Sequence, residues 1–100
     1  MKFEVRGETL SVGGIKELGA DNFQDFRSQV HAALSETSRH IEIDLSQTGF
    51  LDSCGLGALI SLRKIALSRN GTIRLLNPNP RVQRLFDVTR MHKIFQIVRG

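Results

Sequence analysis

The chain has 100 residues, 40% of them hydrophobic, which is enough for one domain with a buried core. Its one cysteine, Cys54, excludes an intramolecular disulfide. No histidine and cysteine residues have zinc-site spacing, and no apolar run approaches the ~20 residues that cross a bilayer. The net charge is +4, but there is no Tyr or Trp that could stack on a nucleic-acid base. We therefore expect one cytoplasmic domain over residues 1–100, with no metal or cofactor.

The amino-terminal half begins with an apparent hairpin, because residues 2–6 and 9–12 are short strand-like runs separated by two turn residues. Asp21 and Asn22 then have the composition of a helix N-cap. Apolar residues follow them at helical spacing, namely Phe23, Phe26, Val30, Ala33 and Leu34. The first helix should therefore begin after Asn22 and end near Glu36.

Strand and helix patterns alternate along the rest of the chain. Residues 40–45 predict the third strand, and a helix follows that should end at Gly71, since glycine suits a left-handed C-terminal position. The apolar stripe of this helix comprises Leu56, Leu59, Ile60, Ile65, Ala66 and Leu67. Residues 72–76 predict the fourth strand, a third helix should end near Asp87, and residues 94–98 predict the fifth strand. Helices between strands require parallel crossovers, which predicts an α/β fold with a mixed, mostly parallel sheet of about five strands and three to four helices packed on it.

The most informative stretch joins the third strand to the second helix. A polar turn leads into Asp52-Ser53-Cys54-Gly55, and the helix begins there at once. Unpaired N–H groups and the helix dipole favour negative charge at such an end, so Ser53 is well placed beside a bound or covalently attached phosphate. Serine is also a preferred N-cap, so a purely structural role stays open. Asp52 either fixes the turn through backbone N–H groups, or it orients Ser53 or helps to position a kinase's magnesium.

Two glycines in the first turn of this helix need an explanation, because glycine costs about 1 kcal/mol relative to alanine inside a helix. Gly55 and Gly57 predict a close approach, either of a partner or of a neighbouring strand. Cys54 is interpreted as a small packing residue. No histidine lies near Ser53 in sequence, and no glycine-rich phosphate loop or oxyanion motif occurs, so we do not expect an enzyme.

Residues 44–46 and 50–57 together resemble the signature of STAS domains, and most closely that of the bacterial anti-sigma-factor antagonists. The likeness extends to residues 79–87 and 91–95, which resemble the last helix and final strand of that family. It therefore covers essentially the whole chain and implies a STAS fold.

The resemblance implies a switch. In such systems the unphosphorylated antagonist binds an anti-sigma factor that is also a serine protein kinase of the histidine-kinase-like ATPase type. The kinase phosphorylates the serine that corresponds to Ser53, the pair dissociates, and a metal-dependent serine phosphatase resets the cycle. The implied partner-binding residues are Asp21, Asn22, Asp52, Cys54, Gly55, Leu56 and Gly57.

The chain departs from the family pattern at Gly19, where the family usually has an aspartate close to the phosphorylation site. Asp21 either stands in for that acid or caps the first helix. A second interpretation therefore stays open, in which the chain is a non-phosphorylated STAS interaction subunit of a transporter or signalling complex. Nucleotide binding at the loop is a variant of it.

Charge is unevenly distributed along the chain. Residues 1–50 carry five Lys or Arg against eight Asp or Glu, whereas residues 51–100 carry nine against two. The basic half fits a solvated helix face, an acidic protein partner or nucleic acid. We favour the solvated face and expect neither direct nucleic-acid binding nor membrane binding, because no aromatic residues interleave with the basic ones.

Overall fold

The computed structural model describes residues 1–100, with seven strands and three α-helices. The strands are β1 (Lys2–Arg6), β2 (Thr9–Gly13), β3 (Glu17–Leu18), β4 (His40–Asp44), β5 (Phe50–Leu51), β6 (Ile73–Leu76) and β7 (Gln96–Val98). The helices are α1 (Phe23–Ala33), α2 (Ser53–Ser68) and α3 (Pro80–Val88), and a single 3-10 turn covers Met91–Lys93. No helix combines the length and apolarity that crossing a bilayer requires.

The main sheet has five strands in the order β1-β2-β4-β6-β7. Strand β1 is antiparallel to β2 in a hairpin, and the other neighbours are parallel. This confirms the predicted mixed, mostly parallel sheet with three helices. Parallel neighbours arise because helices form the crossovers between these strands.

One face of the sheet forms the core with the helices. Strands β2 and β4 alternate buried and half-buried residues, so Leu10 and Val12 lie beside Ile41 and Ile43 on the buried face. Phe26 of α1 and other helix residues complete a cluster of 19 buried residues. The opposite face carries polar side chains that remain partly in water.

Helix α1 ends at Ala33, three residues earlier than the sequence predicts. Leu34 has extended backbone angles (φ −68°, ψ 128°), so the chain leaves the helix there. The guanidinium of Arg69 then donates hydrogen bonds of 2.8 Å and 2.7 Å to the carbonyl oxygens of Ser35 and Ser38. These contacts from Arg69, the residue after α2, hold the loop that returns to β4.

The end of α2 differs from the prediction in its conformation. Asn70 adopts the left-handed conformation (φ 58°), and Gly71 does not. Gly71 is required for space, because a Cβ atom there would lie 1.7 Å from the carbonyl oxygen of Arg39. The prediction that Gly71 ends the helix is therefore confirmed, but the predicted left-handed conformation is wrong, and lack of space for a side chain is the actual reason for the glycine.

Three further predictions were inexact. Leu67, placed on the apolar stripe of α2, is 51% exposed. Strand β7 begins at Gln96, two residues later than predicted, because the N–H groups of Ile94 and Phe95 bond to the carbonyl oxygen of Met91. The short strands β3 and β5 were not predicted, since two residues are too few to show a periodic pattern.

Candidate functional site

A two-stranded parallel sheet brings the two predicted site segments together. Glu17 of β3 pairs with Phe50 of β5, and Leu18 pairs with Leu51. The residues after β3 lead into α1, and those after β5 lead into α2. The carboxyl ends of parallel strands meet at one edge, so the starts of both helices lie beside each other.

Asp52 is the N-cap of α2. Its Oδ1 accepts hydrogen bonds from the backbone N–H groups of Cys54 (2.9 Å) and Gly55 (3.0 Å), and its Oδ2 accepts one from Ala20 (3.0 Å). Of the two roles left open for Asp52, the structure therefore shows the fixing of the turn. It also shows that the same carboxylate joins α2 to the loop after β3.

Ser53 is the first residue of α2 and is exposed. Because Asp52 supplies the cap, the alternative in which Ser53 serves as the helix cap does not hold. The Ser53 hydroxyl is consequently available to solvent at the positive end of a 16-residue helix. Such a position tolerates an added phosphate within the chain.

The hydrogen bonds to Asp52 produce a testable pH dependence. The N–H groups of Gly55, Ala20 and Cys54 hold the pKa of Asp52 below its ordinary value of 3.8. A lowered pKa in the folded chain means that the carboxylate stabilises the fold above its unfolded pKa, and that this contribution is lost as pH falls through the folded pKa.

We therefore expect Asp52→Asn to lower the melting temperature at neutral pH, because the amide keeps one acceptor oxygen but carries no charge. The difference in melting temperature between the variant and the wild type should become smaller as pH falls below about 4. Thermal unfolding followed by circular dichroism over a pH series measures both effects. A gap that stays constant with pH would contradict this origin of the stabilisation.

Asp21 and Asn22 differ in how they contribute to the site. Asn22 accepts a hydrogen bond from the N–H of Gly19 (2.9 Å) and donates one to the carbonyl oxygen of Glu17 (2.8 Å). It occupies the N-cap position of α1, but its side chain makes no capping hydrogen bond and instead holds the turn after β3. Asp21 is exposed and does not cap α1.

A shallow depression of about 130 Å³ lies between the starts of the two helices. Its lining residues are Glu17, Gly19, Ala20, Asp21, Asn22, Phe50 and Asp52. The structure thus brings together Asp21, Asn22 and Asp52, three of the predicted site residues. Phe50 was not predicted as a site residue, and its side chain is 51% exposed.

Gly19 is buried against this depression, and the structure explains why no side chain stands there. A Cβ atom at this position would lie 2.7 Å from Oδ2 of Asp52 and 2.8 Å from the ring of Phe50. Asp52 and Phe50 therefore fill the space that a side chain would need. An acid at position 19 would require both of them to move.

The first turn of α2 separates into surface and interior residues. Gly55 is buried, and a Cβ atom there would lie 2.2 Å from the carbonyl oxygen of Leu18, so its close approach is to β3. Leu56 is also buried, at 7% exposure. This corrects the prediction that Gly55 and Leu56 face a partner. Cys54 is half-buried, whereas Gly57 is exposed with open space around it.

Several basic residues of the second half make contacts within the chain. Arg74 pairs with Glu42 at 2.9 Å, and the Nε of Arg63 donates to the carbonyl oxygen of Ile94 at 3.2 Å. Arg99 donates to the carbonyl oxygen of Pro78 at 3.0 Å. On the predicted solvated face of α2, Lys64 is exposed, whereas Arg63 and Arg69 are half-buried and bond to the chain itself.

Two contributors were missed by sequence reasoning. Ala20 participates through its backbone N–H, which leaves no trace in residue type. Phe50 is an aromatic residue beside a polar turn, and its position before Asp52 was a signal that could have been used, because exposed aromatic residues often mark binding surfaces.

Comparison with known proteins agrees with this architecture. The family model described as "Mlab, STAS domain" matches residues 2–99. A STAS-domain containing protein of Pseudomonas aeruginosa is 33% identical over 89% of this chain and 85% of its own length. The anti-sigma-B factor antagonist of Bacillus subtilis is 33% identical over 64% of this chain and 59% of its own length.

The anti-sigma factor antagonist SpoIIAA of Bacillus is a structural neighbour in two forms. The unphosphorylated form has a TM-score of 0.85 and 22% identity, covering 99% of this chain and 86% of its own. The phosphorylated form has a TM-score of 0.73 and 20% identity, covering 99% and 89%. At these identities the likeness concerns the fold. With the family model and the Pseudomonas relative, it leads to one conclusion: the chain belongs to the STAS-domain family.

Proposed function

We propose that this chain is an anti-sigma-factor antagonist whose binding to an anti-sigma factor is controlled by phosphorylation of Ser53. The observation that carries the proposal is the exposed Ser53 hydroxyl at the start of α2, with the capping function taken by Asp52. The relationship to proteins named anti-sigma factor antagonists supports the same function. We place the protein in the cytoplasm and expect it to be regulatory, not catalytic.

The proposed cycle consists of two reactions carried out by other proteins. The anti-sigma factor, acting as a serine kinase of the histidine-kinase-like ATPase type, transfers the γ-phosphoryl group of ATP to Ser53 Oγ, which loses its proton, and ADP is released. A serine phosphatase hydrolyses the phosphate ester with water and restores the hydroxyl. The antagonist itself supplies only the acceptor and the surface around it.

The exposed and half-buried residues around Ser53 form the proposed partner surface, comprising Asp21, Asn22, Phe50, Asp52, Ser53, Cys54 and Gly57. Phe50 offers apolar area beside the acidic side chains of Asp21 and Asp52. Beneath this surface, Gly55 allows α2 to pack closely against β3, and Leu56 belongs to the core. A partner that covers this surface removes the Ser53 hydroxyl from water.

The phosphoacceptor is tested by intact mass measurement of the protein isolated from its own cells, before and after serine phosphatase treatment. We expect an adduct of about 80 Da that the phosphatase removes and that fragmentation assigns to Ser53. Ser53→Ala should abolish the adduct, whereas Ser46→Ala, at another exposed serine, should retain it. An unmodified protein under every growth condition would contradict the proposed switch.

A second function, a constitutively bound STAS subunit of a larger complex, is favoured by the filled space at Gly19. The site has no room for the acid that the family pattern places there unless Asp52 and Phe50 move. In that case Ser53→Asp should leave most of the partner affinity intact, and no adduct should be found in cells. Calorimetry with ATP and GTP tests the nucleotide-binding variant of this function.

A further inference from the structure

Strand β1 is an open edge of the sheet with unusual apolar exposure. It pairs with β2 on one side only, and all five of its residues are exposed. Met1 is 45%, Phe3 37% and Val5 47% exposed. An exposed edge strand presents unpaired N–H and C=O groups that another strand can bind.

The hairpin turn determines which residues of β1 present these groups. Arg6 lies opposite Thr9 across a two-residue turn in which Gly7 has φ 57°, so this pair is joined by the turn hydrogen bond. Bonded and non-bonded pairs alternate along an antiparallel ladder. The free N–H and C=O groups therefore belong to Phe3 and Val5 and point away from β2.

Side chains of β1 divide between the two faces. Phe3 lies opposite Val12, and Val5 opposite Leu10, so both extend the buried face of the sheet beyond the cover of the helices. Lys2, Glu4 and Arg6 share the opposite, polar face. The edge thus has an apolar side and a charged side.

We propose that β1 pairs antiparallel with β1 of a second copy of this chain, about a two-fold axis at Phe3. In this register Phe3 lies opposite Phe3 of the second copy, and Val5 lies opposite Met1. On the polar face Lys2 lies opposite Glu4, and the two-fold axis repeats this contact. Free backbone groups, apolar side chains and opposite charges are then all matched at once.

Two other registers also keep the apolar side chains of both strands on the same face, but they match the side chains less well. Sliding one strand by two residues places Glu4 opposite Glu4 and Lys2 opposite Arg6, so that like charges face each other. A further step restores opposite charges but leaves Phe3 opposite Gly7 and Met1 outside the paired strands. Charged residues on an edge usually discourage pairing, and here they discourage the first alternative register, whereas the second is disfavoured by its lost apolar contacts.

The expected association is reversible. A five-residue edge is small beside a standard protein interface, so the dissociation constant should fall in the micromolar to millimolar range. Sedimentation equilibrium at low salt should show the mass rising from 11.2 kDa toward twice that value as concentration increases. High salt should weaken the dimer, because the charge contacts are exposed.

Two charge reversals test both the pairing and its register. Glu4→Lys and Lys2→Glu should each weaken self-association by about tenfold or more, because each sets like charges at both symmetry-related contacts. An equimolar mixture of the two variants should associate again, since every Lys2 or Glu4 position then faces an opposite charge. Circular dichroism establishes that each variant is folded.

The matched controls are Glu36→Lys and Lys64→Glu, which make the same charge changes at exposed positions outside β1. Both should dimerise like the wild type. The proposal is overturned if the wild type stays monomeric at millimolar concentration, or if the controls weaken association as much as the β1 variants. It is also overturned if Lys2→Glu alone still dimerises, because that result fits the register in which Glu4 faces Arg6.

Discussion

Replacing Gly55 by alanine should lower the free energy of unfolding by about 3 kcal/mol or more, at the upper end of what overpacking costs. The added Cβ would lie 2.2 Å from the carbonyl oxygen of Leu18 and 2.8 Å from a methyl carbon of Leu51. The first contact is with backbone and cannot be relieved by rotating a side chain. Helix α2 would have to move away from β3, and the hydrogen bonds of Asp52 would lengthen with it.

Gly57→Ala is the matched control, since it adds the same atom two residues later in the same helix. No atom lies within 4 Å of the position that its Cβ would occupy, and the residue is exposed. Alanine should therefore stabilise the chain by about 0.5–1 kcal/mol, because glycine is the poorer helix former. Urea unfolding followed by circular dichroism measures both variants. Equal effects of the two substitutions would show that α2 does not depend on contact with β3.

Phosphorylation of Ser53 should weaken binding to the anti-sigma factor by about 10²–10³-fold while leaving the fold intact. The helix end offsets the new charge within the chain by roughly 0.3–2 kcal/mol. A partner that buries the neutral hydroxyl must instead desolvate that charge beside Asp21 and Asp52, at a cost of about 3–4 kcal/mol. The phosphate on Ser53 should therefore leave the fold stable and weaken binding to the partner.

Calorimetry with the anti-sigma factor of the same organism measures this effect on three samples, which are the unphosphorylated chain, the chain phosphorylated at Ser53 and Ser53→Ala. The alanine variant should bind within a few-fold of the unphosphorylated chain, because it adds no charge. Thermal unfolding should show the phosphorylated chain to be at least as stable as the unmodified one. A loss of affinity below tenfold would favour the constitutive subunit.

Sequence periodicity was sufficient for most of the fold because local patterns report which face of an element is buried. The alternation of apolar and polar residues predicted β2, β4 and β6, and helical spacing predicted α1, α2 and α3 to within a few residues. The hairpin followed from a two-residue turn with Gly7. The motif around Ser53 placed the serine at a helix start, as the structure has it.

Contacts between distant segments decided what periodicity could not. Asp52, not Ser53, caps α2, and its second oxygen binds Ala20, which is 32 residues away. The sequence predicted a close approach at Gly55 but left open whether a partner or a strand makes it, and the structure shows the carbonyl oxygen of Leu18 there. Gly71 looked like an ordinary helix-end glycine, yet it is required because the carbonyl oxygen of Arg39 fills the space of a Cβ atom.

The sequence by itself therefore determined the order and type of the main elements, because local hydrogen bonding and amphipathic spacing depend on near neighbours. Only the tertiary structure decided which residues of the site are surface and which are interior. That division depends on how β3 pairs with β5. The close contacts that exclude a side chain at a position arise from packing between distant segments, and they leave no periodic signal along the chain.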